Sequence, residues 1–427
     1  MNNAIFPEQA SSAHSDSELV TRYPLPVTGA KPQSVITGMG SVSAGGKNVE
    51  ELWQSTLQGR VKAERYQLKK SGVVLPVYRA ELTELSKKDQ HLVRQADRTA
   101  QLLVVAAREA WEGAQLTGST YASDRIGIII GSSRGPMMLQ EEQISSLKKK
   151  PSAAVYSTSS SMAGLLASAF SIEGPSFTVA STCTSGATAL AMGQQLLQSG
   201  ALDLVLVGGV DAPLTESLLE QYHAAGVLAE CQNPSMALRP FDRDRSGTVL
   251  GEGAVVVMLE SERFALQRNA PIVGKLHAVA LQSHPGRRAS LDPQGKALQH
   301  VVKRSLEQSL LTLDRIGVVH LHGTGTKQND LIESCAMSSI FGTCAQQPIS
   351  WANKTITGHV LGASPLFQLI LALKTMQHGW VPPLLHCDQL DPACPIRISR
   401  GEALAAAPAI CINSGFWGNV SSIVISP

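Results

Sequence analysis

Among the residues of this sequence that could do chemistry, Cys183 has the most informative setting. Residues 177–181 read Phe-Thr-Val-Ala-Ser, with the buried, strand-forming character of a short sheet element. Residues 185–200 carry Ala187, Leu190, Ala191 and Leu197 at helical spacing and end on glycine. Cys183 falls at the join. A thiol there sits beside unpaired backbone N–H groups and the positive end of a helix dipole, which favour thiolate and lower the pKa. The same N–H groups could hold the oxyanion formed when a thioester carbonyl is attacked. Gly186 and the small side chains of Thr184 and Ser185 leave room for a substrate. From local sequence alone the alternative is a buried structural thiol, the commoner fate of cysteine in an apolar setting. Equally plain alternatives exist for His322 as a satisfied histidine after a strand, His359 as a turn cap, and Lys354 as a solvated lysine.

The words around these residues narrow the choice. Gly174-Pro175-Ser176-Phe177-Thr178-Val179-Ala180-Ser181-Thr182-Cys183-Thr184-Ser185-Gly186 resembles the active-site segment of β-ketoacyl-acyl carrier protein synthases I and II and of polyketide ketosynthases. Three further segments match in the same order: Arg239-Pro240-Phe241-Asp242-Arg243-Asp244-Arg245-Ser246-Gly247 running into Gly251-Glu252-Gly253-Ala254, then His322-Gly323-Thr324-Gly325-Thr326, then Lys354-Thr355-Ile356-Thr357-Gly358-His359. The likeness runs from Val35 to the C-terminus. It implies an α/β fold of the thiolase type, five-layered α/β/α/β/α, with two pseudo-symmetric halves. It also implies decarboxylative Claisen condensation: an acyl group on Cys183 is attacked by the carbanion of a malonyl thioester, with His322 and His359 as donors to the enolate oxygen. By the same resemblance Lys354 is a buried lysine paired with an acid, Asp330 and Glu333 being the matching acids. Thr324 and Thr326 resemble the hydroxyls that hold a phosphopantetheine arm, and Phe416 a gate to the acyl pocket, which Ser160 and Met162 would line. No bound cofactor or metal is implied, the substrates arriving on the phosphopantetheine of an acyl carrier protein.

Several residues depart from the family pattern. In Asn413-Ser414-Gly415-Phe416-Trp417-Gly418-Asn419, Trp417 stands where glycine is usual, and a bulky indole cannot copy glycine's backbone freedom. Lys327-Gln328-Asn329-Asp330 lacks a glycine before the aspartate, and asparagine is expected to keep the turn by tolerating positive φ. Gln368 replaces a common glutamate, and Pro365 suits a helix start. These changes suggest a specialised acyl chain or pathway. The resemblance leaves two alternatives to the condensing enzyme: a chain-length-factor-like partner of a ketosynthase heterodimer, which would usually lack the cysteine, and an acyltransferase on the same scaffold, which would not need both histidines.

A carrier protein is small and acidic, so a local basic patch is expected to receive it. Lys87, Lys88, Arg94 and Arg98 form one candidate, before and within a predicted helix, and Arg287 with Arg288 a second. The family also implies a homodimer, or a heterodimer with a ketosynthase-like subunit.

The elements that must position these side chains alternate regularly. Apolar runs at 35–38, 126–131, 177–182, 202–209 and 254–260 are separated by amphipathic stretches such as 98–113. A second series has runs at 273–281, 316–321, 409–413 and 421–425, with helices predicted at 295–311 and 365–379. The chain divides into an arm at 1–33, polar and without apolar period, a half at 34–270 bearing the cysteine, and a half at 271–427 bearing the histidines. Its 427 residues, 43% hydrophobic, suffice for two packed halves. A net charge of +2 with mixed signs gives no sign of a nucleic-acid or polybasic membrane surface, so neither nucleic acid nor membrane is an expected partner. Seven scattered cysteines without CxxC pairs argue against disulfides and zinc, and with no signal-like or membrane-spanning run the expected compartment is the cytoplasm.

Overall fold

The computed structural model describes residues 33–116, 122–147, 149–285 and 291–427. Five strands of the main sheet belong to the first half: β1 (Ser34–Ser43), β2 (Ile126–Gly131), β3 (Ser176–Val179), β4 (Leu204–Asp211) and β5 (Gly253–Ser261). Five belong to the second: β6 (Gly274–Ser283), β7 (Val318–His320), β8 (Ile349–Trp351), β9 (Ala409–Ser414) and β10 (Asn419–Ser426). The first set is ordered β1-β5-β4-β2-β3 and the second β6-β10-β9-β7-β8, so each half repeats the same permutation. The directions repeat too. The first two pairs of each half are antiparallel and the last two parallel.

The halves are not two separate sheets. Ser34, Val35 and Ile36 of β1 pair with Leu276, Lys275 and Gly274 of β6, fusing ten strands edge to edge over one short stretch. Beyond it the halves diverge and helices fill the gap. Helices α2 (Ser185–Gln198) and α5 (Ser364–His378) each contact strands of both halves, while α1 (Arg98–Gly113) covers β1, β4 and β5, and α3 (Lys296–Ser309) covers β6 and β10 with α4 (Lys327–Phe341) beside it. The result is five layers, α/β/α/β/α.

Composition explains which helices lie inside. On α5 every residue from Ser364 to Leu373 is buried, because Leu366, Phe367, Leu369, Ile370, Leu371 and Leu373 leave no polar face. Fully burying each such side chain contributes about 1.5–3 kcal/mol. By contrast α3 alternates Leu298, Val301, Val302 and Leu306 with exposed polar residues and packs by one stripe only. Among the described residues no helix is long and apolar enough to cross a membrane.

The repeated topology fixes the site. Cys183 follows the third strand of its half and precedes the central helix α2. His359 follows the third strand of the other half and precedes the central helix α5. The two central helices therefore start near one another, and each delivers one chemical group.

Candidate functional site

The turn carrying Cys183 is built from its hydroxyl neighbours. Ser185 Oγ accepts from Ser181 N at 2.9 Å and donates to the Thr182 carbonyl at 2.6 Å, and Thr184 Oγ1 donates to the Ser181 carbonyl at 2.7 Å. Thr182 is left-handed at φ 55°, costly for a β-branched residue, and this twist sets Cys183 ahead of the first turn of α2. Gly415 belongs here because a Cβ would lie 2.3 Å from Thr182 Oγ1, so only glycine lets the C-terminal loop approach the cysteine turn. Gly186 has a different task from the one expected. A Cβ there would meet the Gly362 carbonyl at 3.0 Å, so it admits the start of α5 and not substrate.

His322 is held through its backbone. Glu333 on α4 accepts from His322 N at 2.5 Å and Gly323 N at 2.9 Å, while Asp330 accepts from Phe241 N at 2.8 Å, Thr324 N at 3.1 Å and Gly325 N at 3.2 Å. Asn329 is helical in the first turn of α4, so the segment needs no positive φ, and its side chain accepts from Ser414 Oγ at 2.8 Å. His359 is anchored by His359 N to the Val249 carbonyl at 2.8 Å and by Gly251 N to its own carbonyl at 3.1 Å, which gives the Gly251-Glu252-Gly253 segment its purpose. Arg245 braces the same region, bonding Asp391 at 2.7 Å and lying 3.7 Å from Asp330.

The two imidazoles meet edge to face, with ring centroids 5.2 Å apart and planes at 86°. Buried Lys354 donates to the His322 carbonyl and lies 3.4 Å from His322 Nδ1. An ammonium at Nδ1 leaves that nitrogen as acceptor and puts the ring proton on Nε2. Ser364 Oγ stands 3.1 Å from His359 Nδ1 and, donating there, sets the same tautomer. No carboxylate lies within ion-pair distance of Lys354 among the described residues. The expected direct acid partner is thus replaced by Glu333 and Asp330 acting through space and through the loop they hold.

Cys183, His322, His359, Thr324, Thr326 and Phe416 line one cavity of about 350 Å³. Tyr222, Leu361, Asn329 and Ser414 line it as well, none of them expected from the sequence as a site residue. Thr324 and Thr326 share a hydrogen bond of 2.9 Å between their hydroxyls. Phe416 faces the Tyr222 ring at 6.1 Å. Trp417 does adopt the glycine conformation, at φ 64°, by turning its indole to solvent with 62% exposure. The left-handed backbone costs about 1–2 kcal/mol for such a residue.

Electrostatics run against one expectation. Burial pushes the Cys183 thiol up to about 12, Asp211 adding to it and Lys354 and Arg134 opposing, so the resting group is a thiol and the helix terminus does not make it a thiolate. Burial holds both histidines well below 6.5, with Lys354 reinforcing this, so both are neutral donors. Lys354 itself is lowered to about 8 by burial, Glu333 opposing the shift, and burial raises Glu333.

Other expected residues lie elsewhere. Met162 is buried in the core beneath α1 and Ser160 is exposed, and neither lines the cavity. Arg98 is not available to a partner, because its guanidinium bonds the wholly buried Glu252 at 2.6 Å and the Ala80 carbonyl at 2.7 Å. Lys87, Lys88 and Arg94 are exposed on and after the helix Lys87–Val93. Arg287 and Arg288 lie outside the described residues. Gln368 is fully buried and donates to the Leu321 carbonyl at 2.5 Å and the Ile412 carbonyl at 3.2 Å, tying β9 to the strand end before His322. The described cysteines are all free, and no group of three or more metal-ligating side chains occurs among the described residues.

Both halves of the chain match the models of one protein family. Residues 33–265 match the family model of the β-ketoacyl synthase N-terminal domain and residues 274–388 that of its C-terminal domain. The ketoacyl synthase alpha subunit of the tetracenomycin polyketide synthase of Streptomyces glaucescens is 29% identical over 418 residues, covering 93% of this chain and 97% of that protein. A 3-oxoacyl-[acyl-carrier-protein] synthase 2 of Staphylococcus aureus is 28% identical over 406 residues, covering 91% and 97%. Among solved structures, a β-ketoacyl synthase from Burkholderia phymatum superposes with a TM-score of 0.84 at 25% identity, covering 92% of this chain and 99% of that one. The ishigamide ketosynthase/chain length factor gives 0.83 at 25% identity, covering 93% and 99%. A cysteine and two histidines brought to one cavity by the repeated halves, in a chain whose two halves both match, make this protein a member of the β-ketoacyl synthase family.

Proposed function

We propose that the protein is a decarboxylative ketosynthase in which Cys183 carries the acyl group and His322 and His359 stabilise the enolate of a malonyl thioester. The observation that carries this reading is the shared cavity, lined by the cysteine and by two neutral imidazoles whose ring centroids lie 5.2 Å apart. In the first step the Cys183 sulfur attacks an acyl thioester, and the thiol proton leaves with the departing pantetheine sulfur, so no net charge forms. In the second, the malonyl C–C bond breaks and carbon dioxide departs. The electron pair enters the enolate, whose oxygen accepts from the two Nε2–H groups. The enolate carbon then attacks the acyl carbonyl, the bond from that carbon to the Cys183 sulfur breaks, and the released thiolate takes a proton from solvent, which balances the negative charge brought by the malonyl carboxylate. Thr324 and Thr326 would hold the pantetheine arm, Phe416 would gate the acyl side, and Lys354 would position His322.

The substrates would arrive on an acyl carrier protein in the cytoplasm, docking at exposed Lys87, Lys88 and Arg94. A second subunit, identical or ketosynthase-like, fits relatives solved with a carrier protein and with a chain length factor. The decisive measurement is intact mass after offering acyl- and malonyl-carrier protein. The expected result is an acyl adduct on Cys183 and release of carbon dioxide. An adduct without gas would favour the acyltransferase, and neither event a silent partner subunit.

The pH profile follows from the two shifts. Both histidines lie below their usual value, so the neutral donor form persists as pH falls through 6.5. Lys354 is also lowered, so its cation is lost as pH rises through about 8. Malonyl decarboxylation is therefore expected to be level across neutrality and to decline on the alkaline side. In Lys354→Met that alkaline decline should vanish with a lower plateau, and its persistence would assign it to another group.

A further inference from the structure

Beside the cysteine stands a cation without a counter-ion. Arg134 follows β2, and its guanidinium donates to Tyr222 Oη at 2.9 Å and lies 5.5 Å from the centre of that ring. Its Nε is buried with no hydrogen-bond partner, and no carboxylate forms an ion pair with it among the described residues. The neighbouring acid is already committed. Asp211 accepts from Ser132 Oγ at 2.9 Å, from Ser133 N and Arg134 N, and from Gly362 N at 2.7 Å, so its carboxylate fixes the Arg134 backbone and not its charge.

The place matters as much as the charge. Tyr222 lines the cavity with Cys183 and faces Phe416 across 6.1 Å. Cys183 otherwise borders an apolar cluster of Leu214, Leu218, Leu219 and Tyr222, with Met137 and Phe416 packed against it. Of that cluster Tyr222 lines the cavity, with Arg134 behind its hydroxyl, so an acyl chain that leaves the sulfur along this wall passes the Arg134–Tyr222 pair. A hydrocarbon chain there offers no acceptor and leaves the buried Nε unpaired, at the cost of an unsatisfied charged donor. An acceptor oxygen on the chain would satisfy it, and a planar guanidinium presents its donors as a fixed fork.

Resting on the ketosynthase reading of the same site, we propose that Arg134, with the Tyr222 hydroxyl, selects acyl groups bearing an acceptor oxygen, keto or carboxylate, over plain hydrocarbon acyl groups. Arg134 is thus a specificity residue for loading Cys183.

The test uses the full chain with acetoacetyl-, glutaryl- and hexanoyl-pantetheine thioesters, reading the initial rate of Cys183 acylation by intact mass. The wild type is expected to favour at least one oxygenated thioester over hexanoyl by about tenfold, and Arg134→Met to bring that ratio near one. A preference confined to glutaryl identifies a carboxylate ligand, and one confined to acetoacetyl a keto ligand. Using the ratio cancels any uniform change in thiol reactivity. Tyr222→Phe, which removes one hydroxyl, should move the ratio the same way by a smaller factor and serves if Arg134→Met folds poorly. A ratio near one in the wild type, or one unchanged in both variants, overturns the proposal alone. Absence of acylation by every thioester, including the carrier-bound acyl substrates, would overturn the ketosynthase reading as well.

Discussion

Cys183→Ala is expected to lose condensation by about a thousandfold or more while malonyl-thioester decarboxylation continues. The reason is a division of labour visible in the geometry. Acyl transfer requires a sulfur at the start of α2. Enolate stabilisation requires only the two imidazoles, whose positions are fixed by hydrogen bonds to Glu333, Lys354, Ser364 and the backbone of Val249 and Gly251, and none of those bonds involves the thiol. Removing one sulfur atom from a residue that is 6% exposed leaves these supports in place. The measurement is paired: carbon dioxide release from malonyl-carrier protein, and β-ketoacyl product by mass. Loss of both activities, with an unchanged melting temperature, would show that the sulfur is needed for decarboxylation and would refute the division. Because the resting thiol is pushed up to about 12, no acid or alkaline limb from Cys183 should distinguish wild type from variant between pH 6 and 8.

How much of this was legible in the sequence depended on whether a property is local. The strand-to-helix join at Cys183, the glycine-threonine segment after His322 and the alternation of apolar runs are written in consecutive residues, and Cys183, His322, Thr324 and Thr326 line one cavity. The strand Ile349–Trp351 escaped notice because three residues carry no period, although its register with Val318–His320 is what aligns Lys354 and His359 behind His322. Arg98 illustrates the opposite difficulty. Its charge reads as a surface feature until Glu252, 154 positions away, is brought to it. Met162 fell in an apolar helix whose buried face turns to α1, and nothing local says which of two cores a methionine joins. Depth was the other hidden variable. The helix start would lower the cysteine pKa if the thiol were solvated, but desolvation dominates at full burial and reverses the sign. The same depth makes Arg134 notable, since a partly buried guanidinium without an acid is visible only once Asp211 is seen to be saturated.

His322→Ala and His359→Ala are each expected to reduce decarboxylation by about 10²–10³-fold, the usual loss when one donor to a developing oxyanion is removed. Acylation of Cys183 should persist in both, because neither imidazole supports the turn that holds the sulfur. The two losses should not multiply. One donor aligns the enolate oxygen for the other, so the double variant is expected to fall little below the weaker single variant. They should differ in their dependence on neighbours. His322 has an ammonium at its Nδ1, which strengthens the opposite N–H as a donor, whereas His359 has only a hydroxyl. His322→Ala should therefore abolish the alkaline decline assigned to Lys354, and His359→Ala should retain it at a lower rate. Reading carbon dioxide release against pH for the wild type and both single variants decides the matter. If both variants kept the decline, Lys354 would act on the enolate directly and not through His322, and the tautomer argument built on Nδ1 would fail.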